Sequence, residues 1–186
     1  MPRNRRPQDR EEKLAEIVRA AVDLFSEAGF EQTSMARIAR AAGVTPNTVY
    51  WYVEDKDALL VAALNHLLTE ALADLGQQGE LPFVEQVLWV LERLRRHSPL
   101  IGVVHARSEQ AAAVAAWHNR FHELMDGLVI RHLAQQGVPE HESRATARLI
   151  TFAIEGLLAH PTDPAETRVV LDLVLDRDRS GDHESA

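Results

Sequence analysis

The sequence contains no cysteine, which excludes disulfides, thiolate metal sites and cysteine nucleophiles together. No segment approaches ~18 consecutive apolar residues, so no membrane-spanning helix is expected. The opening Met1-Pro-Arg-Asn-Arg-Arg6 is basic, but Pro7-Gln-Asp-Arg-Glu-Glu-Lys13 follows it in place of an apolar run. No signal peptide is therefore expected, and the chain reads as cytoplasmic. The nucleophile elbow G-x-S-x-G, a phosphate-binding glycine loop and a dinucleotide fingerprint are also missing, so catalysis has no foothold in these motifs. No period-two run of strand length and no internal repeat interrupts the chain. What remains is 186 residues, 46% hydrophobic, with apolar positions spaced by three and four. That pattern reads as an all-α protein of one large or two small domains, long enough to bury a core.

The net charge of −8 sits badly with nucleic-acid binding until it is divided. Residues 1–57 hold nine Lys/Arg against ten Asp/Glu, a balance of −1, and residues 58–186 hold eleven against eighteen, a balance of −7. Phosphate contact requires a basic patch on one surface rather than a high overall pI. The charge permits DNA binding without proving it.

Along the chain, Asp9 with Glu12 makes a capping-box-like start to a first helix. Its Leu14, Ile17, Val18, Ala21, Leu24, Phe25 and Ala28 form one apolar face, and Gly29 supplies the stop. Thr33 or Ser34 caps a second helix whose Ile38, Ala39 and Ala42 face inward. Gly43 can take the left-handed backbone of a tight turn, and Val44 plugs the corner. Thr45 caps a third helix, with Pro46 at its first position, where no hydrogen bond is lost. Asp55 caps a fourth, carrying Leu59, Leu60, Ala63, Leu64, Leu67, Leu68, Ala71 and Leu75 and ending at Gly76 to Gly79. Further helices are expected from Leu81 to about Arg96, broken by Ser98-Pro99; a short piece from Leu100 to His105; and then about Ser108–Gln136, ended by Gly137. Two more run from Pro139 to about Ala159 and from Pro164 to about Leu175.

Helix, glycine turn and short helix are the parts of a helix-turn-helix, which places its second helix in a DNA major groove. On the third helix, steps of about 100° per residue put Val49 and Val53 inside, Asn47, Tyr50 and Trp51 outside and Thr48 at the border. Asn47 can pair with adenine, and Thr48 or the Pro46 ring can touch a thymine methyl. Tyr50 and Tyr52 offer hydroxyls to phosphate oxygens. The alternative, which applies to Tyr52 above all, is that these aromatics pack against the first or fourth helix. Lys56 stands in the first turn of the fourth helix, where a cation opposes the helix dipole. It suits a DNA phosphate or, equally, a solvated pair with Asp55 or Asp57. Arg3, Arg5, Arg6 and Arg10 read either as an arm toward phosphates or a minor groove or as a solvated tail.

His118 and His122 are four apart, a ligand spacing. No Glu completes an H-E-x-x-H pattern and no third ligand is close in sequence, so a structural or pocket-lining pair is expected and no metal.

Residues 10–70 resemble the DNA-binding domain of the TetR (tetracycline repressor) family of bacterial transcription regulators. The resemblance is carried by Ala20-Ala-Val-Asp-Leu-Phe-Ser-Glu-Ala-Gly-Phe30, Thr33-Ser-Met-Ala-Arg-Ile-Ala39, Ala42-Gly-Val-Thr45 and Val49-Tyr-Trp-Tyr-Val-Glu-Asp-Lys-Asp-Ala-Leu-Leu60. It places Ser34, Thr45, Pro46, Asn47, Thr48, Tyr50, Trp51, Tyr52 and Lys56 on DNA-contacting positions. Ala36 departs from the pattern, offering a methyl where relatives often carry a polar side chain. The resemblance implies an N-terminal three-helix DNA-binding domain over residues 9–56, with its motif at about 33–53 and a connecting helix at about 56–75. A helical effector-binding and dimerisation domain follows over 57–177, with flexible tails at 1–8 and 178–186.

In the second domain the last two helices would pair two subunits. Ala145, Leu149, Phe152, Ala153 and Gly156 share one face, and Val169, Val170, Leu173 and Val174 lie on the other helix. Intramolecular core is the alternative. Candidate effector contacts are His66, Trp89, His105, Trp117, Phe121, His122, Met125 and Phe152, aromatic and apolar walls with a few polar points. The expectation is a homodimeric repressor on palindromic operator DNA, released by a small hydrophobic or aromatic effector, with no catalytic residue, cofactor or metal. An enzyme built on His118 and His122 with a carboxylate, and a helical interaction module with an incidental helix-turn-helix, are the competing classes.

Overall fold

The computed structural model describes residues 7–160 and 162–175. Among them it holds nine helices and no strand, the class expected from the apolar spacing. Arg3, Arg5 and Arg6, and the tail beyond residue 175, lie outside the described residues.

α1 (Pro7–Ala28) begins at the proline, whose missing N–H costs nothing in a first turn. The helix is therefore already under way at Asp9, and the start expected there is corrected to Pro7. Arg10, Glu11, Glu12 and Ala15 are exposed, while Ile17, Val18, Ala21, Val22 and Phe25 are buried. Each large side chain fully buried in this way contributes roughly 1.5–3 kcal/mol. Gly29, at φ +82, ends the helix with its N–H on the Phe25 carbonyl at 3.1 Å.

Ser34, not Thr33, caps α2 (Met35–Ala41), its hydroxyl accepting from the Arg37 N–H at 3.2 Å. Thr33 is buried instead and donates its hydroxyl toward the carbonyls of Gly29 and Leu24, at 2.9 and 3.2 Å. Gly43 turns the chain at φ +65, where a side chain is strained. Val44 then returns its N–H to the Ala39 carbonyl at 2.9 Å. α3 (Pro46–Tyr52) opens under Thr45, whose hydroxyl accepts from the Thr48 N–H at 3.2 Å. Val53 has already left the helix into extended backbone and is half-buried. Of the two valines expected inside, only Val49 is fully buried.

Asp55 caps α4 (Lys56–Gly76), its Oδ1 accepting from the Ala58 N–H at 2.7 Å. α4 is long and apolar enough to cross a membrane by length and composition alone, yet it carries Leu59, Leu60, Ala63, Leu64, Leu67 and Ala71 into the protein core. α5 spans Phe83–Arg95 and α6 spans Ser98–Ser108. The Ser98-Pro99 break expected from sequence is in fact the start of α6, because a proline fits a first turn. The short piece expected after it is a full helix, and α7 (Ala112–Gln135) starts later than expected. α8 (Glu140–Ala159) and α9 (Pro164–Leu175) stand as read.

Two compact units divide the chain. Of the described residues, one holds those up to Leu72 together with Arg96–Trp117; the other holds Ala73–Arg95 and those from His118 onward. The first unit is built on α1, which packs on α2 and α6. In the second, α8 packs on α9 and both pack on α5. Compactness thus puts α4 as far as Leu72, and all of α6, in the unit that holds the helix-turn-helix.

Candidate nucleic-acid interface

Both tyrosines of the chain and one of its three tryptophans fall in consecutive positions at the end of α3. Val49 anchors that helix at 0% exposure, while Tyr50 and Trp51 are 53% and 64% exposed. Thr45, Pro46 and Asn47 are exposed and Thr48 is half-buried at the border, its hydroxyl 2.9 Å from that of Thr45. Tyr52 is half-buried, its ring meeting Trp51 edge-on at 4.9 Å. The guanidinium of Arg10, an arm residue in the sequence reading, lies on α1 and stacks 4.7 Å above the Trp51 ring. Ser34 and Ala36 are exposed at the start of α2. A capped seven-residue helix therefore presents hydroxyls, an amide and aromatic rings outward, with a cation beside them.

Lys56 does something the sequence did not reveal. Its Nζ donates to the carbonyls of Phe30 and Thr33 at 2.8 and 3.1 Å and sits 4.1 Å from the Phe30 ring centroid. The carboxylates considered as its partners are occupied otherwise: Asp55 caps α4, and Asp57 takes a two-point contact from Arg107 at 2.9 and 2.5 Å. That hydrogen-bonded pair raises the Arg107 pKa above its ordinary value. Arg107 also lies over Phe30, 5.4 Å from its centroid. The aromatic ring at the α1–α2 corner is thus held by two cations, one from each of α4 and α6.

The family model described as bacterial regulatory proteins, tetR family, matches residues 17–63, from the buried half of α1 through the helix-turn-helix into α4. Residues 17–63 belong to the tetR family. An HTH-type transcriptional regulator of Mycobacterium tuberculosis is 26% identical over 170 residues, covering 90% of this chain and 88% of the relative. The crystal structure of a transcriptional regulator from Rhodococcus superposes with a TM-score of 0.72 at 20% identity, over 88% of this chain and 94% of the other. A regulator, FadR, from Bacillus subtilis, solved in complex with stearoyl-CoA, superposes with a TM-score of 0.62 at 19% identity, over 87% and 97%. The chain that carries this domain is accordingly an HTH-type transcriptional regulator and not an enzyme.

The candidate effector residues divide between the units. In the first, Trp117 is core, its Nε1 donating to Asn65 Oδ1 at 2.8 Å; His66 is half-buried, 3.4 Å from Glu70; and His105 is exposed. In the second, Trp89, Phe121, His122 and Met125 are half-buried. Phe152 is 58% exposed on the outer face of α8. It shares that face with Ala145, Leu149 and Gly156, all exposed, while Val169 and Leu173 are exposed on α9. Ala153, Val170 and Val174 are half-buried at its margin.

Two polar pairings of the second unit were missed. His118 and His122 on α7 meet Glu155 of α8: His122 Nε2 is 2.6 Å from Glu155 Oε1 and 3.1 Å from His118 Nε2. One turn along both helices, Thr151 donates to Asp126 at 2.8 Å. The third ligand-type group lies 33 residues from His122, too far for a spacing rule to find.

Proposed function

We propose that this tetR-family chain is a transcriptional repressor that binds a palindromic operator as a homodimer and leaves it when a small molecule binds its helical domain. The observation that carries the reading is the outward presentation of Tyr50 and Trp51 on a helix closed on its other side by Val49. Large aromatics left in water on a rigid, capped helix form a surface prepared for a partner, and the second helix of such a motif is the one that enters the major groove. Ser34, Thr45, Pro46, Asn47, Thr48, Tyr50, Trp51, Tyr52 and Lys56 make up the contact set. Asn47 and the Thr48 methyl read base edges, and the hydroxyls and Lys56 meet phosphates. Lys56 has three donors, two of which hold the α1–α2 corner, so in this reading it both positions the motif and faces the backbone.

The apolar face of α8 and α9 supports the dimer. Leu149, Phe152, Val169 and Leu173 are exposed beside the small residues Ala145 and Gly156, which allow helices of a second copy to approach closely. For the effector, the half-buried aromatic and apolar residues of the second unit favour a hydrophobic or aromatic molecule. The stearoyl-CoA in complex with the Bacillus subtilis regulator of similar fold agrees with an apolar ligand. α4 runs unbroken from Lys56 to Gly76, a span of ~30 Å at 1.5 Å per residue, and in this proposal it is the lever. An effector shifts the equilibrium only if it prefers the released arrangement, so affinities for DNA and effector fall reciprocally. The test is to find ligands by thermal shift and titrate them into a protein–operator complex. The expected result is progressive loss of operator affinity; tight ligands that leave it unchanged contradict the release step.

A further inference from the structure

We propose that His118, His122 and Glu155 form a binding site for one divalent transition-metal ion of the zinc, cobalt and nickel class. These three residues belong to the second unit, and the proposal does not depend on the repressor reading. Residues four apart on α7 share a face, which brings both imidazoles to the same carboxylate oxygen of α8. His118 Nε2 and His122 Nε2 are 3.1 Å apart, and they lie 3.5 and 2.6 Å from Glu155 Oε1. Bond lengths of about 2.0–2.2 Å in a tetrahedral site place neighbouring ligand atoms about 3.3 Å apart. Two of the three separations already match, and the third needs to open by only about 0.7 Å, a small adjustment of one Glu side chain.

The donor set selects the class: imidazole nitrogen suits zinc, cobalt, nickel and copper, whereas magnesium and calcium require oxygen ligands. The three side chains are 18%, 27% and 22% exposed, sheltered yet open to an incoming ion. Three protein donors leave at least one coordination position for water or another small ligand.

The test uses untagged full-length protein in metal-free buffer, titrated with Zn²⁺ by calorimetry and with Co²⁺ followed by its ligand-field absorption. The expected result is one ion per chain, weakened by about tenfold or more in His118→Ala, His122→Ala and Glu155→Gln. His141→Ala, which removes a strongly exposed histidine, leaves binding unchanged. Circular dichroism checks the fold of each variant. Should the histidine variants fail to fold, Glu155→Gln, nearly isosteric, carries the test: Zn²⁺ raises the melting midpoint of the unmodified protein and not that of the variant. Absence of stoichiometric binding, or equal binding by Glu155→Gln and the unmodified protein, overturns the proposal and leaves a plain hydrogen-bonded cluster.

Discussion

Lys56 donates to the carbonyls of Phe30 and Thr33 and lies against the Phe30 ring, whereas the neighbouring Tyr50 stands more than half in water. The two therefore separate under substitution. Lys56→Ala is expected to lower stability by about 1–3 kcal/mol, the usual cost of losing hydrogen bonds from a charged donor to partners left unsatisfied, and also to weaken operator binding. Tyr50→Ala is expected to leave stability within about 0.5 kcal/mol and to weaken binding roughly tenfold, the loss of one hydrogen bond to a phosphate. Denaturant melts beside fluorescence-anisotropy titrations check both. A second separation concerns pH. His132 stacks on Phe83 at 4.1 Å, and burial lowers its pKa from 6.5. Between that lowered value and 6.5 the unfolded chain binds more protons, so this histidine's contribution is complete above about 6.5 and is lost as pH falls through the window. His132→Phe, which keeps the stack, is expected to flatten part of the fall in urea midpoint between about pH 7.5 and 5.5; an unchanged slope contradicts it. Caps such as Ser34, Thr45 and Asp55 were legible in sequence because their partners lie within three residues. The partners of Lys56 and His122 lie 26, 23 and 33 residues away, and only the folded chain brings them together.

α8 buries Ala147, Ile150, Ile154, Leu157 and Leu158 and leaves Leu149, Phe152 and Gly156 on the opposite side. Periodicity alone recorded both stripes without saying which one faces the protomer's own core. The same ambiguity explains α6, where Ser98-Pro99 signals a helix boundary but not whether a helix ends or begins there. The exposed stripe gives a clean test of the dimer. A β-carbon on Gly156 meets nothing within 4 Å, and glutamate is a better helix former than glycine by roughly 0.5–1 kcal/mol. Gly156→Glu should therefore fold, and a charge at the centre of an apolar interface of roughly 2,000 Å² should dissociate it. Light scattering at micromolar concentration is expected to return a dimer for the unmodified protein and a folded monomer for the variant. A monomer for the unmodified protein contradicts the proposed interface.

The fold class, the helix-turn-helix and the order of helices were readable because each rests on spacing and turn chemistry within a few residues. The division into units was not, since it depends on α6 choosing α1 as its neighbour, a choice encoded only in complementary surfaces far apart in the chain. The charge follows the same logic: −8 overall conceals a nearly neutral N-terminal segment, in which Arg10 stacks on Trp51 of α3. A short reading helix carries too little information alone, so the proposed dimer would read two half-sites about one helical turn apart. Selection of bound duplexes from a random pool at moderate salt is the most direct measurement. A palindrome with half-sites about one turn apart should be enriched, and Asn47→Ala should relax the preference at one position of each half-site. A pool that returns no enriched palindrome would contradict the reading of α3 as a DNA-recognition helix.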